Sequence, residues 1–188
     1  MEYKAAMVCG RDLDGAVWSL ALLREIHGES AENDHPRFAN LHGVSIKLEN
    51  VGIAVRDLEA TIAFFTDLGL TVLGRDTVSG DWADTAVGLD GNHAKIAMLQ
   101  TPDGNGRLEL FEYIHPDAIE TDPTLPNEIG MHRVAFSVDD IDASLEIAAR
   151  HGCYPLRGVA TYEDIYKLTY LRGPSGILVM IAEELKGS

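Results

Sequence analysis

Asn50-Val51-Gly52-Ile53-Ala54-Val55-Arg56-Asp57-Leu58-Glu59-Ala60 returns 83 positions later as Arg133-Val134-Ala135-Phe136-Ser137-Val138-Asp139-Asp140-Ile141-Asp142-Ala143. Each copy opens with apolar residues at every second position, the period of a strand with one buried face. Each then turns at an aspartate suited to capping a helix, Asp57 or Asp140. Behind it the spacing lengthens to that of a helix: Leu58, Ile62, Phe65 and Leu68 before Gly69 in one copy, Ile141, Leu145, Ala148 and Ala149 before Gly152 in the other. A second pair of segments matches at a spacing of 72: Lys95-Ile-Ala-Met-Leu-Gln-Thr-Pro-Asp-Gly and Lys167-Leu-Thr-Tyr-Leu-Arg-Gly-Pro-Ser-Gly. The chain therefore reads as one unit written twice, with about eleven more residues in the first copy.

Working outward, each unit predicts strand, helix and three strands. The later strands fall near 70–75, 93–101 and 107–114, then near 154–160, 165–172 and 177–183. Pro102-Asp103-Gly104 and Pro174-Ser175-Gly176 supply the turns before the last strands. The first module is placed at 46–114, a linker containing Pro116, Pro123 and Pro126 at 115–128, and the second module at 129–185. Residues 1–45 form an extension in which Leu13, Val17, Leu20, Leu23 and Ile26 mark an amphipathic helix over 12–27. The stretch 76–91 is rich in Gly and Asp.

Composition narrows the function. Of 188 residues, 46% are apolar and 24% charged, the balance of a folded globular chain. The formal charge of −15 opposes nucleic acid and anionic lipid as partners. No apolar run is long enough to span a bilayer, and the first residues lack the order of a secretory signal, so a cytoplasmic protein is expected. Cys9 and Cys153 are too few for a disulfide framework and include no zinc-type pair. No phosphate-cradling loop, dinucleotide fingerprint, zinc-protease helix or nucleophile elbow is present.

The doubled βαβββ unit, with the opening segments quoted above and the Pro-x-Gly turns, resembles the vicinal oxygen chelate superfamily, over roughly residues 46–184. That group takes in glyoxalases, epimerases, extradiol dioxygenases and bleomycin-resistance proteins. The resemblance implies an α+β fold whose two modules form a cupped, incomplete mixed β barrel around a small-molecule ligand, with the stretch 76–91 flanking the pocket as a mobile lid, and a homodimer. It also places four metal ligands, usually His, Glu or Gln, His and Glu. Their equivalents here are Asn50, Glu109, Arg133 and Met180. Only Glu109 keeps the usual chemistry. Met180 is too soft for the ions concerned, and a guanidinium has no lone pair to give and carries the ion's own charge sign. No metal and no other cofactor is expected. His132 lies one residue out of phase and is expected on the opposite face of its strand, unless a bulge re-aims it.

The same phase predicts an inward face of Asn50, Gly52, Ala54, Arg133, Ala135 and Ser137, with Arg107, Glu109, Phe111 and Tyr113 opposite Leu178, Met180 and Ala182. Glu109 and Arg133 are expected to form an ion pair where a metal would otherwise sit, with Asn50 bonding one of them. That pair is either a fastener or the working group, Arg133 holding a ligand oxygen and Glu109 moving a proton. Asn50, Arg107, Phe111, Tyr113, Met180, Trp82 and Tyr162 are the candidate ligand-contacting residues. His42 and His93 read as exposed loop residues, His115 as a turn residue and Cys153 as inert packing. Three functions remain open: a binder that sequesters a small apolar or oxygenated molecule, a metal-independent isomerase, cyclase or lyase using Glu109 and Arg133, or a metal-dependent glyoxalase, epimerase or dioxygenase with unusual ligands.

Overall fold

A computed structural model of the protein describes residues 48–131 and 133–185. The extension with its expected helix over 12–27, together with Cys9, His42 and His132, lies outside the described residues. In chain order the elements are β1 (Val51–Ala54), α1 (Leu58–Asp67), β2 (Thr71–Ser79), α2 (Asp81–Val87), β3 (His93–Gln100) and β4 (Arg107–His115). Then follow β5 (Arg133–Ser137), α3 (Ile141–Arg150), β6 (Tyr154–Pro155), β7 (Ala160–Tyr162), β8 (Tyr166–Arg172), a short 3-10 turn (Pro174–Gly176) and β9 (Leu178–Glu184). One sheet has the order β1-β4-β3-β2 and the other β5-β9-β8-β6, with β7 added on β8. In each, the opening strand runs parallel to the last and the others pair antiparallel. The result is a mixed α+β fold of two sheets that do not close into a barrel.

The helix that follows the opening strand of each repeat, α1 or α3, starts in the same way. Asp57 accepts from the Ala60 amide at 2.8 Å, and Asp140 from the Ala143 amide at 2.9 Å. A glutamate from the last strand takes a further orphan amide: Glu112 accepts from Leu58 N at 2.8 Å and Glu183 from Ile141 N at 2.9 Å. The negative side chains also sit at the positive ends of the helix dipoles. These bonds fix each helix against the last strand of its own module, α1 against β4 and α3 against β9.

The core lies on the helix side of both sheets. Val55, Leu108 and Leu110 from one sheet and Val134, Val179 and Ile181 from the other share it with Leu58, Ile62, Phe64, Phe65 and Ile141. Helix α1 joins the modules: Phe65 meets Phe136 at 6.1 Å between centroids, Phe64 meets the His151 ring edge-on at 5.7 Å, and Asp67 bonds His151 Nε2 at 2.8 Å. Such aromatic pairs add direction to the burial that holds the modules together.

Two stretches depart from the expected pattern. The second strand does not end near 75: β2 continues to Ser79, with Asp76 opposite Ile96 and Ser79 opposite His93, so most of 76–91 is regular structure. Gly80, at φ 96°, then turns the chain into α2. The Asp84 carboxylate accepts from Gly91 N and Asn92 N, both at 2.7 Å, which ties the end of the segment down. The expected strand at 154–160 is split into β6 and β7. Leu156 still donates to the Tyr170 carbonyl at 2.8 Å, residues 157–159 then leave β8, and the Thr169 hydroxyl donates to the Gly158 carbonyl at 2.8 Å to hold them.

Replacing Glu112 by Ala is expected to lower unfolding free energy by about 1 kcal/mol, from the loss of a helix-end acceptor. Lys95 bonds the same carboxylate at 2.6 Å but is exposed, so Lys95→Ala is expected to cost less than about 0.5 kcal/mol. Urea unfolding of the two variants checks the order; a larger loss for Lys95→Ala would place the stabilisation in the ion pair.

Candidate functional site

Strand alternation decides which side chains leave the core. On β4, Leu108 and Leu110 are buried against the helices, so Arg107, Glu109, Phe111 and Tyr113 share the opposite face, all of them half-buried. On β1, Val51, Ile53 and Val55 pack on the core, which leaves Gly52 and Ala54 on that same opposite face. The parallel register sets Gly52 beside Glu109 and Ala54 beside Phe111. Small residues next to large ones give the face its relief.

The centre of this face is Glu109. The Asn50 side-chain amide donates to its Oε2 at 3.2 Å. No other hydrogen bond reaches the carboxylate among the described residues, and neither oxygen is a sealed, unsatisfied atom. Burial pushes the Glu109 carboxyl above the ordinary carboxyl range, and the Asn50 bond offsets part of that rise. Arg107, two residues away on the strand, is committed to Glu49 at 2.6 Å.

Glu49 was not legible as a site residue. Alternation sends it to the opposite face from Asn50, yet Glu49 and Asn50 both bond side chains on the outer face of β4. The reason is that both precede the ladder, whose first register pair is Val51 with Leu108, so nothing imposes the pleat on them. The cation at Arg107, close to the start of β1 in the register, was the available signal.

The expected ion pair between Glu109 and Arg133 is not formed: it is absent from the ion pairs among the described residues, and the hydrogen bond on Glu109 comes from Asn50. Arg133 opens β5 on the other sheet, opposite Leu178. Its exposed guanidinium lies over the Tyr170 ring, 5.2 Å from the centroid, a cation–π contact. Tyr170 pairs in register with Met180, and Met180 with Ala135, so Arg133, Tyr170 and Met180 form a second constellation. Phase predicts which face a residue occupies but not how far apart two faces lie.

Of the other candidates, Phe111 and Tyr113 stack at 6.5 Å with 23° between their planes. Trp82, on α2, and Tyr162, on β7, are both exposed. His93 and His115 are not loop residues: they begin β3 and end β4 and face each other in register. Cys153 is buried, and burial pushes its thiol upward, away from the reactive thiolate.

A cavity of about 320 Å³ lies between β1, the linker stretch 118–124, the turn 175–178 and the start of β5. Val51, Ile53, Met131 and Leu178 give it apolar walls, and Arg133 reaches it. Glu109 and Asn50 do not line it.

The four positions equivalent to metal ligands do not fit a divalent ion. Asn50 presents an N–H donor to Glu109, Arg133 is a cation stacked on the other sheet, and Met180 offers a thioether. Among the described residues no group of three or more His, Cys, Asp and Glu is arranged to hold a metal ion.

Comparison with known proteins agrees with this architecture. A family model described as the Glyoxalase/Bleomycin resistance protein/Dioxygenase superfamily matches residues 49–169. A 2-epi-5-epi-valiolone epimerase from Actinomyces sp is 35% identical over 126 residues, which cover 64% of this chain and 67% of that protein. A glyoxalase family protein from Bacillus cereus superposes with a TM-score of 0.75 at 40% identity, over 79% of this chain and all of that one. A glyoxalase/dioxygenase from Nostoc punctiforme, at 22% identity and a TM-score of 0.53 over 83% of this chain and all of that one, shares the fold.

The raised pKa of Glu109 has a definite sign in stability. The folded state favours the protonated acid, so its contribution is complete below the ordinary value of 4.5 and is lost as pH rises through the folded pKa. Glu109→Gln is therefore expected to match the parent in acid and to become the more stable protein toward neutral pH. Thermal unfolding across that range checks this; a difference that shrinks as pH rises would contradict it.

Proposed function

The chain belongs to the glyoxalase/bleomycin resistance protein/dioxygenase superfamily, and from that premise we propose that it is a metal-independent isomerase of the epimerase type. Its substrate is a small oxygenated carbonyl compound, and Glu109 is the group that moves the proton. The observation that carries this reading is the Glu109 carboxyl on the sheet face away from the core, with one oxygen fixed by Asn50 and the other unbonded among the described residues. A carboxyl raised above its usual range is a stronger base once ionised and is better matched to a weak carbon acid. The similarity to an enzyme named as an epimerase supports the same class.

In this mechanism the C–H bond next to the substrate carbonyl breaks and the unbonded Glu109 oxygen takes the proton. The electron pair moves onto the carbonyl oxygen to give an enolate. Glu109 then returns that proton to the same carbon and restores the ketone, and the configuration inverts when the enolate has turned its opposite face to Glu109 before the proton comes back. Asn50 is a positioning residue here: its amide keeps one Glu109 oxygen occupied and aims the other. Arg133 takes no part in this step, because it lies over Tyr170 on the other sheet.

The cavity favours a second reading. It takes in Arg133 and apolar walls but not Glu109, so an oxygenated ligand seated there would be sequestered rather than converted.

Incubating the protein with 2-epi-5-epi-valiolone in D2O and following the proton next to the carbonyl by NMR decides between them. Exchange or epimerisation that falls by about 10²-fold or more in Glu109→Gln, and that a chelator leaves intact, is the expected result. Exchange that a chelator abolishes would contradict the metal-independent mechanism. Tight binding without exchange, equal in wild type and Glu109→Gln, would establish the sequestering role.

A further inference from the structure

Resting on the role given to Glu109 above, we infer that Gly52 is a specificity-determining residue that makes the site select a ring-shaped substrate over an open-chain one. Gly52 is the register partner of Glu109 on the neighbouring strand, and both belong to the face turned from the core. A Cβ built on Gly52 would stand 3.2 Å from Cε2 of Phe111. The Phe111 ring therefore leans along β4 into the space that a side chain at 52 would fill, beside the Glu109 carboxyl. Phe111 in turn stacks on Tyr113, so the two rings form a half-buried aromatic wall next to that carboxyl.

An aromatic wall of this kind attracts the C–H face of a saturated ring, whose weakly positive hydrogens meet the negative π face. A flexible open-chain compound presents no such face and loses more rotational freedom on binding. A ring laid against Phe111 directs its edge toward Glu109, whose other side is closed by Asn50. The substrate class that fits is a cyclic α-hydroxy ketone. Gly52 does not have a positive φ, so a larger residue there carries no backbone penalty and acts only through the Phe111 ring.

The test compares 2-hydroxycyclohexanone with 4-hydroxyhexan-3-one, an open-chain α-hydroxy ketone of the same carbon count, for affinity by ligand-observed NMR titration. The wild type is expected to prefer the ring by about fivefold to tenfold. Gly52→Val, and independently Phe111→Leu, are expected to bring the ratio near one by lowering affinity for the ring, while affinity for the open-chain compound changes by less than about twofold. Should Gly52→Val fail to fold, Gly52→Val combined with Phe111→Leu removes the ring it would strike and reads the same ratio. Equal affinity for both compounds in the wild type, or a preference that survives Phe111→Leu, overturns the inference. Glu109→Gln separates it from the reading beneath it. Ring preference without proton exchange in any form supports the aromatic wall and defeats the proton-transfer role. Glu109-dependent exchange with no ring preference leaves that role standing and defeats the wall.

Discussion

A half-buried carboxyl group that, among the described residues, has a single amide for a partner is the constraint around which the candidate site is arranged. A carboxylate taken from water is costly unless a cation or several donors surround it. Here Arg107 is occupied by Glu49, Arg133 lies over an aromatic ring on the other sheet, and Asn50 donates one hydrogen bond. Glu109 is thus kept where protonation is easier than usual. Groups with perturbed ionisation gather at functional sites, and this one sits on an open face lined by small residues and aromatic rings rather than inside the core.

The scaffold supports that arrangement from below. Glu112, three residues along the same strand, faces the other way and accepts from the first amide of α1, which locks β4 to the helix beneath it. Alternation on one strand thereby serves both purposes: even positions build the core and cap the helix, odd positions build the site. The second module repeats the cap with Glu183 and Ile141, but its outer face carries Arg133, Tyr170 and Met180 in place of an acid. Two similar units have diverged in chemistry while keeping the same mechanical joints, as a fold that hosts many functions permits.

Much of this was legible in the sequence because it is local. The βαβββ order, the Asp57 and Asp140 caps, and the sorting of Leu108 from Glu109 or Val134 from Arg133 all follow from spacing along one segment. Three things were not legible, each for a physical reason. Alternation misplaced Glu49 because that residue lies before the ladder that enforces the pleat. The expected bond between Glu109 and Arg133 did not form, because Asn50 bonds the one and the Tyr170 ring lies beneath the other, a choice between separate sheets that no single strand's pattern encodes. The segment 76–91 concealed an extended β2 and α2 because its glycines and aspartates are turn formers. Their use here, Gly80 as a corner and Asp84 as a clasp on Gly91 and Asn92, depends on the pairing of β2 with β3.

The central claim concerns the ionisation of one side chain, and site-resolved NMR titration of the Glu109 carboxyl carbon, assigned by its loss in Glu109→Gln, measures it directly. The account predicts a midpoint above the ordinary value of 4.5 that moves higher still when Asn50 is replaced by Ala. A midpoint at or below that value, or one that Asn50→Ala leaves in place, would contradict it.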